Sequence, residues 1–223
     1  MVLVHPSECA NKLLMNKVDI GLVPVAVLPE ILEEGFIFDY GICAEGKVRS
    51  VILASPVPIH DITAVTLDYQ SRTSVLLARI LAQNHWYIDV KWIQGRPGFE
   101  DRDLKGSEAA VVIGDRSFIM ATRYPYIYDL ADEWHTYTGL PFVFAVWSAN
   151  KSIDPVFQTG FNEALEFGVT HLEETVSVLG QKQVIDQTDL LDYLHTNIQF
   201  RLDNHKKEGL QRFLNELTLL KNE

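Results

Sequence analysis

The chain has 223 residues, 47% of them hydrophobic, 10% aromatic and 22% charged; that is enough length and apolar matter to bury a core, and it excludes a disordered chain. Thirty acidic against 19 basic residues leave a net charge of −11, which repels polyanions and argues against nucleic acid as a partner. Cys9 and Cys43 are the only cysteines, too few for a disulfide framework and without paired spacing, and neither thiol sits in a reactive setting. The N-terminus shows no basic-then-apolar leader and no segment approaches a membrane span, so the expectation is a cytoplasmic protein that does not engage a membrane.

In chain order, Val2–Val4 reads as a short strand stopped by His5-Pro6, with Ser7 as the cap of a helix carrying Leu13, Leu14 and Met15. Val18–Pro24 is a second apolar strand and Val25–Leu32 a short helix. Phe38–Cys43 and Val48–Ser55 read as strands, and Glu45-Gly46-Lys47 between them predicts a hairpin and a mixed sheet. Ala64–Leu67 is a strand that hands over, through Ser71-Arg72-Thr73-Ser74, to a helix over Val75–Leu81. Ile88–Ile93 is a strand, Gly95–Gly106 a polar loop, and Ala109–Ile113 a buried strand ending at Gly114-Asp115. Tyr128–Thr138 predicts a helix broken by Gly139-Leu140-Pro141, and Phe142–Trp147 a strand apolar on both faces. The remainder reads as helical, with Leu210, Phe213, Leu214, Leu217 and Leu220 on one packed face.

Three clusters carry polar chemistry. Ser71-Arg72-Thr73-Ser74 places hydroxyls and a guanidinium where a helix offers free N–H groups to a carboxylate; read from spacing alone, capping by Ser71 is the simpler account. Gly114-Asp115 ends a strand, where glycine admits a ligand to the backbone and Asp115 is a candidate polar partner, the plainer reading being a turn. Glu133 and His135 form a candidate pair, set against a solvated helix face. No metal-ligand spacing is present, His5, Glu8 and Cys9 included, and there is no phosphate loop, dinucleotide fingerprint or serine-hydrolase elbow.

Taken in order, Asp19-Ile20-Gly21-Leu22-Val23-Pro24, Leu67-Asp68-Tyr69-Gln70-Ser71-Arg72-Thr73-Ser74-Val75, Val112-Ile113-Gly114-Asp115, Tyr128-Asp129-Leu130-Ala131-Asp132-Glu133-Trp134 and Thr138-Gly139-Leu140-Pro141-Phe142-Val143-Phe144-Ala145-Val146-Trp147 resemble the MqnA family, the chorismate dehydratases of the futalosine route to menaquinone. The resemblance implies an α/β fold of the type II periplasmic-binding-protein kind, with a ligand cleft between two lobes. One lobe is expected from residues 1–65 and 148–223, the other from 66–147, with Ala64–Leu67 and Phe142–Trp147 as hinge strands. It also implies a hydro-lyase that needs no metal or organic cofactor and takes chorismate, with Ser71, Arg72, Thr73, Ser74, Gly114 and Asp115 as substrate-binding residues. Members of the family usually begin with a further strand and helix carrying an Asn-Thr-x-Pro-like motif. Here the first residues resemble their second strand, so unpaired backbone is expected beside Ile20–Pro24.

Loss of water from chorismate, a dianion, gives the aromatic 3-[(1-carboxyvinyl)oxy]benzoate. The site then needs carboxylate donors, a base and help for the departing hydroxide. Four bases stay open: Asp115, His135, a residue upstream, or the substrate's own enolpyruvyl carboxylate. The alternatives to the dehydratase are a binding protein of the same fold that takes a small carboxylate without catalysis, the sister enzyme that releases dihydroxynaphthoate, and an inactive remnant.

Overall fold

The computed structural model describes residues 2–31, 35–179 and 185–220. Pro6 opens α1 (Pro6–Leu14), its fixed φ suiting a first turn in which its missing N–H costs nothing. His5, and not Ser7, stands at the cap. The strand expected at Val2–Val4 does not form, and Val2 and Leu3 are exposed. After β1 (Ile20–Pro24), the helix expected over Val25–Leu32 is a 3₁₀ turn, Val25–Val27, running into α2 (Leu28–Ile31). Leu32 lies outside the described residues.

The chain continues through β2 (Phe36–Ala44), β3 (Val51–Ser55), β4 (Ala64–Leu67), α3 (Thr73–Asn84), β5 (Lys91–Gln94) and β6 (Glu108–Ile113). Then follow α4 (Asp115–Arg123), β7 (Tyr126–Asp129), α5 (Leu130–Thr138), β8 (Phe142–Ala149), α6 (Pro155–Thr170), α7 (Leu172–Leu179), α8 (Gln187–Asp192), β9 (Gln199–Arg201) and α9 (Asn204–Leu220). The strands form two sheets, a four-stranded one in the order β1-β8-β2-β9 and a five-stranded one in the order β5-β4-β6-β3-β7. Every pairing in the first is antiparallel. The second is mixed, with β4 parallel to β5 and β6, and β3 antiparallel to β6 and β7.

The hairpin predicted at Glu45-Gly46-Lys47 is absent, because β2 and β3 belong to different sheets. The Asp129 carboxylate decides this. It accepts hydrogen bonds from the Val48 and Arg49 N–H groups at 3.1 and 2.6 Å and also caps α5 through Ala131 and Asp132. With those amides held and Arg49 turned to a φ of 61°, the chain cannot fold back on β2 and crosses to the second sheet. It returns at Gly139-Leu140-Pro141, where Gly139 ends α5 at a φ of 71°, the left-handed C-terminal stop that glycine makes cheaply. The lobes drawn from the sequence therefore do not coincide with the sheets: Val51–Ser55 and Ala64–Leu67 lie in the five-stranded sheet and all of Phe142–Ala149 in the four-stranded one. Sequence reading also missed β7, α4 and β9.

β1 is an edge strand of its sheet. Its Leu22 backbone hydrogen-bonds to Cys9 of α1, which meets part of the unpaired edge expected there. Burial pushes the Cys9 thiol up and the Cys43 thiol to about 12; a thiol so poorly ionised is a weak nucleophile.

One continuous core joins the sheets, running from Val23 and Leu53 through Leu77 and Trp134 to Phe142 and Phe213. α9 carries the apolar stripe expected of it, with Leu210, Phe213 and Leu217 buried, and Gly209 lets it lie directly on the returning link. A methyl group at 209 would overlap the Pro141 carbonyl oxygen. Gly209→Ala gains helix propensity, worth about 1 kcal/mol, yet the obstacle is backbone, which yields less than a flexible side chain. The expected net result is a loss of about 1–3 kcal/mol, read from the urea midpoint at unchanged slope.

Candidate functional site

The ends of β4 and β6 and the start of β3 lie side by side on one edge of the five-stranded sheet. Between that edge and the four-stranded sheet is a cavity of about 230 Å³. Pro24, Ile42, Phe144 and Ala145 give it an apolar wall, and Ser50, Ser71, Arg72, Thr73, Ser74 and Tyr193 bring its polar side chains. Gly114 lines it as well, so five of the six residues expected to bind substrate meet here. The sixth, Asp115, is exposed as the first residue of α4 and is not part of the lining.

The Ser71-Arg72-Thr73-Ser74 segment is held by bonds that leave its donors usable. Ser71 Oγ accepts from the Ser74 N–H at 3.0 Å, the capping role foreseen for it, and Thr73 Oγ1 accepts from the Ala26 N–H at 3.3 Å. A hydroxyl that accepts one bond keeps its own proton to donate. Arg72 Nη2 donates to Asn11 Oδ1 at 2.7 Å, tying α3 to α1. Gly114 has φ 67° and ψ −153°, a conformation open essentially to glycine. There its N–H donates to Ser50 O at 2.8 Å, joining the ends of β6 and β3.

Beneath these loops is a brace that sequence reading did not single out. Asp68, whose side chain is fully buried, accepts from the Gln70 N–H at 2.8 Å and the Ile113 N–H at 3.0 Å. Arg116 Nη2 donates to both Asp68 oxygens, at 3.0 and 2.8 Å, and to Gln70 Oε1 at 3.0 Å, while its Nη1 pairs with Glu100 at 2.9 Å. Burial works against the charge on Arg116, but Asp68 and Glu100 outweigh it and its pKa is raised. One carboxylate thus fixes the β4–α3 loop against the end of β6.

Tyr193 reaches the cavity from the segment after α8, where Tyr193–Asn197 forms a π-helical turn. Its hydroxyl donates to Ser50 Oγ at 2.8 Å and its ring packs edge-on to Phe118 at 5.5 Å. Burial pushes its phenol up. Arg49 ties the same segment down, pairing with Asp189 at 2.8 Å and Asp192 at 3.8 Å. No local pattern marks Tyr193 or Ser50, since they lie 143 positions apart.

The pair expected from Glu133 and His135 is not made. Glu133 instead accepts from Trp86 Nε1 at 2.8 Å and meets His85 Nε2 at 3.0 Å, because residues two apart on a helix do not share a face. A larger groove of about 580 Å³ holds Lys47, Arg49, Asp129, Asp132, Glu133 and Asp189 and none of the expected binding residues. Among the described residues no three of His, Cys, Asp and Glu are grouped to hold a metal ion, and no helix is long and apolar enough to cross a membrane.

The chorismate dehydratase of Thermus thermophilus is 26% identical over 239 residues, covering 96% of this chain and 85% of that protein. A protein of Archaeoglobus fulgidus superposes with a TM-score of 0.71 at 10% identity, covering 100% of this chain and 86% of the other. The periplasmic aliphatic sulphonate binding protein of Escherichia coli does so with a TM-score of 0.56 at 14% identity, covering 98% and 79%. The two structural likenesses show the fold, which is the periplasmic-binding-protein fold expected from the sequence. The profile of a family described as "Menaquinone biosynthesis" matches residues 1–218, and with nearly the whole chain inside that match the protein belongs to the menaquinone-biosynthesis family.

Proposed function

We propose that the protein is a chorismate dehydratase, a hydro-lyase acting on a small molecule in the cytoplasm without a cofactor. The observation that carries this reading is the cavity between the sheets, with Ser71, Thr73 and Ser74 at the N-terminus of α3 on its wall. Hydroxyls, first-turn amides and the positive end of a helix are a receptor for a carboxylate, and the apolar wall suits a ring. The larger groove is the poorer site for a dianion, because four carboxylates line it.

Among the described residues, neither a carboxylate nor an imidazole lines the smaller cavity. With Asp115 exposed and outside the lining, the substrate's own enolpyruvyl carboxylate is the base this reading favours. Relative movement of two lobes would shut water out of the cavity.

The test is incubation of the protein with chorismate and mass spectrometry against a protein-free control. A product lighter by one water supports the dehydratase, and unchanged chorismate with a raised melting temperature supports a binding protein. For Ser71→Ala the expected result is a KM raised about tenfold with kcat largely kept, the loss of one hydrogen bond to a charged group; unchanged kinetics would remove Ser71 from the site.

A further inference from the structure

We propose that Ser50 and Tyr193 form a two-hydroxyl relay that protonates the oxygen leaving the substrate ring; the proposal rests on the dehydratase reading. Elimination from an apolar cavity must not release bare hydroxide, so the site needs an acid. Among the described residues lining the cavity, Tyr193 is the one side chain besides Arg72 that ordinarily titrates, and a guanidinium gives up no proton in a protein. A phenol, even a buried one, is a far stronger acid than water.

The geometry orders the relay. Tyr193 donates to Ser50 Oγ at 2.8 Å, which leaves the Ser50 proton free to point at a ligand. Ser50 immediately precedes β3 and Ser71 lies in the loop after β4, with β6 between those two strands, and both line the one cavity. With the ring carboxylate on Ser71 and Thr73, the departing hydroxyl falls at Ser50.

The step balances without a further reagent. The substrate's enolpyruvyl carboxylate takes the proton from the ring carbon beside the hydroxyl, and that C–H electron pair becomes the last ring double bond. The C–O bond breaks with its electrons on oxygen, the oxygen takes the Ser50 proton, and Ser50 takes that of Tyr193. Water and a phenolate result. Arg49 is the nearby cation that favours the phenolate, against the fields of Asp115 and Asp129. The proton held by the product's carboxyl passes to solvent on release, and solvent returns one to Tyr193.

Tyr193→Phe keeps the ring that packs on Phe118, and Ser50→Ala removes the other hydroxyl, so each is assayed with chorismate over a full concentration range. The expected result is a kcat lowered about 100-fold in each, KM within about threefold, and a double variant no slower than either single one, because both hydroxyls serve one proton path. Equal melting temperatures for Tyr193→Phe and the parent protein exclude a folding defect. If the parent turns chorismate over and Tyr193→Phe keeps its kcat, or only its KM rises, the relay is overturned and the dehydratase stands. If the parent makes no product, the dehydratase reading falls and the relay falls with it.

Discussion

Asp68→Ala is expected to cost about 3–5 kcal/mol of folding stability, the loss found when one partner of a buried ion pair is removed. The Asp68 side chain has no exposure and that of Arg116 has 20%. The deletion strands more than a charge. The Gln70 and Ile113 amides lose their acceptor, and Arg116 is left with Glu100, Gln70 and the face of the Tyr69 ring. Asp68→Asn is expected to fare little better, since its amide nitrogen would point donors at donors. Urea unfolding of both variants measures the effect, and a loss below about 1 kcal/mol would mean that the pair behaves as a solvated one. Because Asp68 joins the loop bearing Ser71 to the strand bearing Ile113, the surviving folded fraction is also expected to bind ligand more weakly.

The second large effect is expected at Trp134. Its side chain is wholly buried and packs edge-on to Phe142 at 5.4 Å, Tyr137 at 6.1 Å and Phe213 at 6.3 Å. α5, β8 and α9 meet at this ring, and the chain changes sheets beside it. Trp134→Ala is expected to cost about 3–5 kcal/mol, from lost transfer energy and the cavity left behind. Trp134→Phe is expected to cost clearly less. The indole N–H has no hydrogen-bond partner among the described residues, so phenylalanine removes an unmet donor along with the volume. Equal losses for the two variants would show that this N–H is solvated or that packing alone governs the site.

Much of the architecture can be read along the chain where local chemistry and long-range packing agree. Ser71 both caps α3 and faces the cavity, so the residue type and its place point the same way. The apolar stripe of α9 reads directly as a buried face. Reading fails where a partner far along the chain overrides a local signal. Glu45-Gly46-Lys47 has turn chemistry, but the four hydrogen bonds accepted by Asp129 outweigh it and send β3 to another sheet. Glu133 lies two residues from His135 but is claimed by His85 and Trp86 from the end of α3.

The sequence by itself determined the alternation of strands and helices, the order of most elements and the hydroxyl cluster at Ser71-Arg72-Thr73-Ser74, because periodicity, capping and turn chemistry act over a few residues. The tertiary structure decided which strands share a sheet, that Asp68 and Arg116 brace the loops, and that Tyr193 meets Ser50. Hydrogen bonds between residues 143 positions apart leave no periodic trace in the chain, and buried charges choose their partners only once the sheets have brought them together.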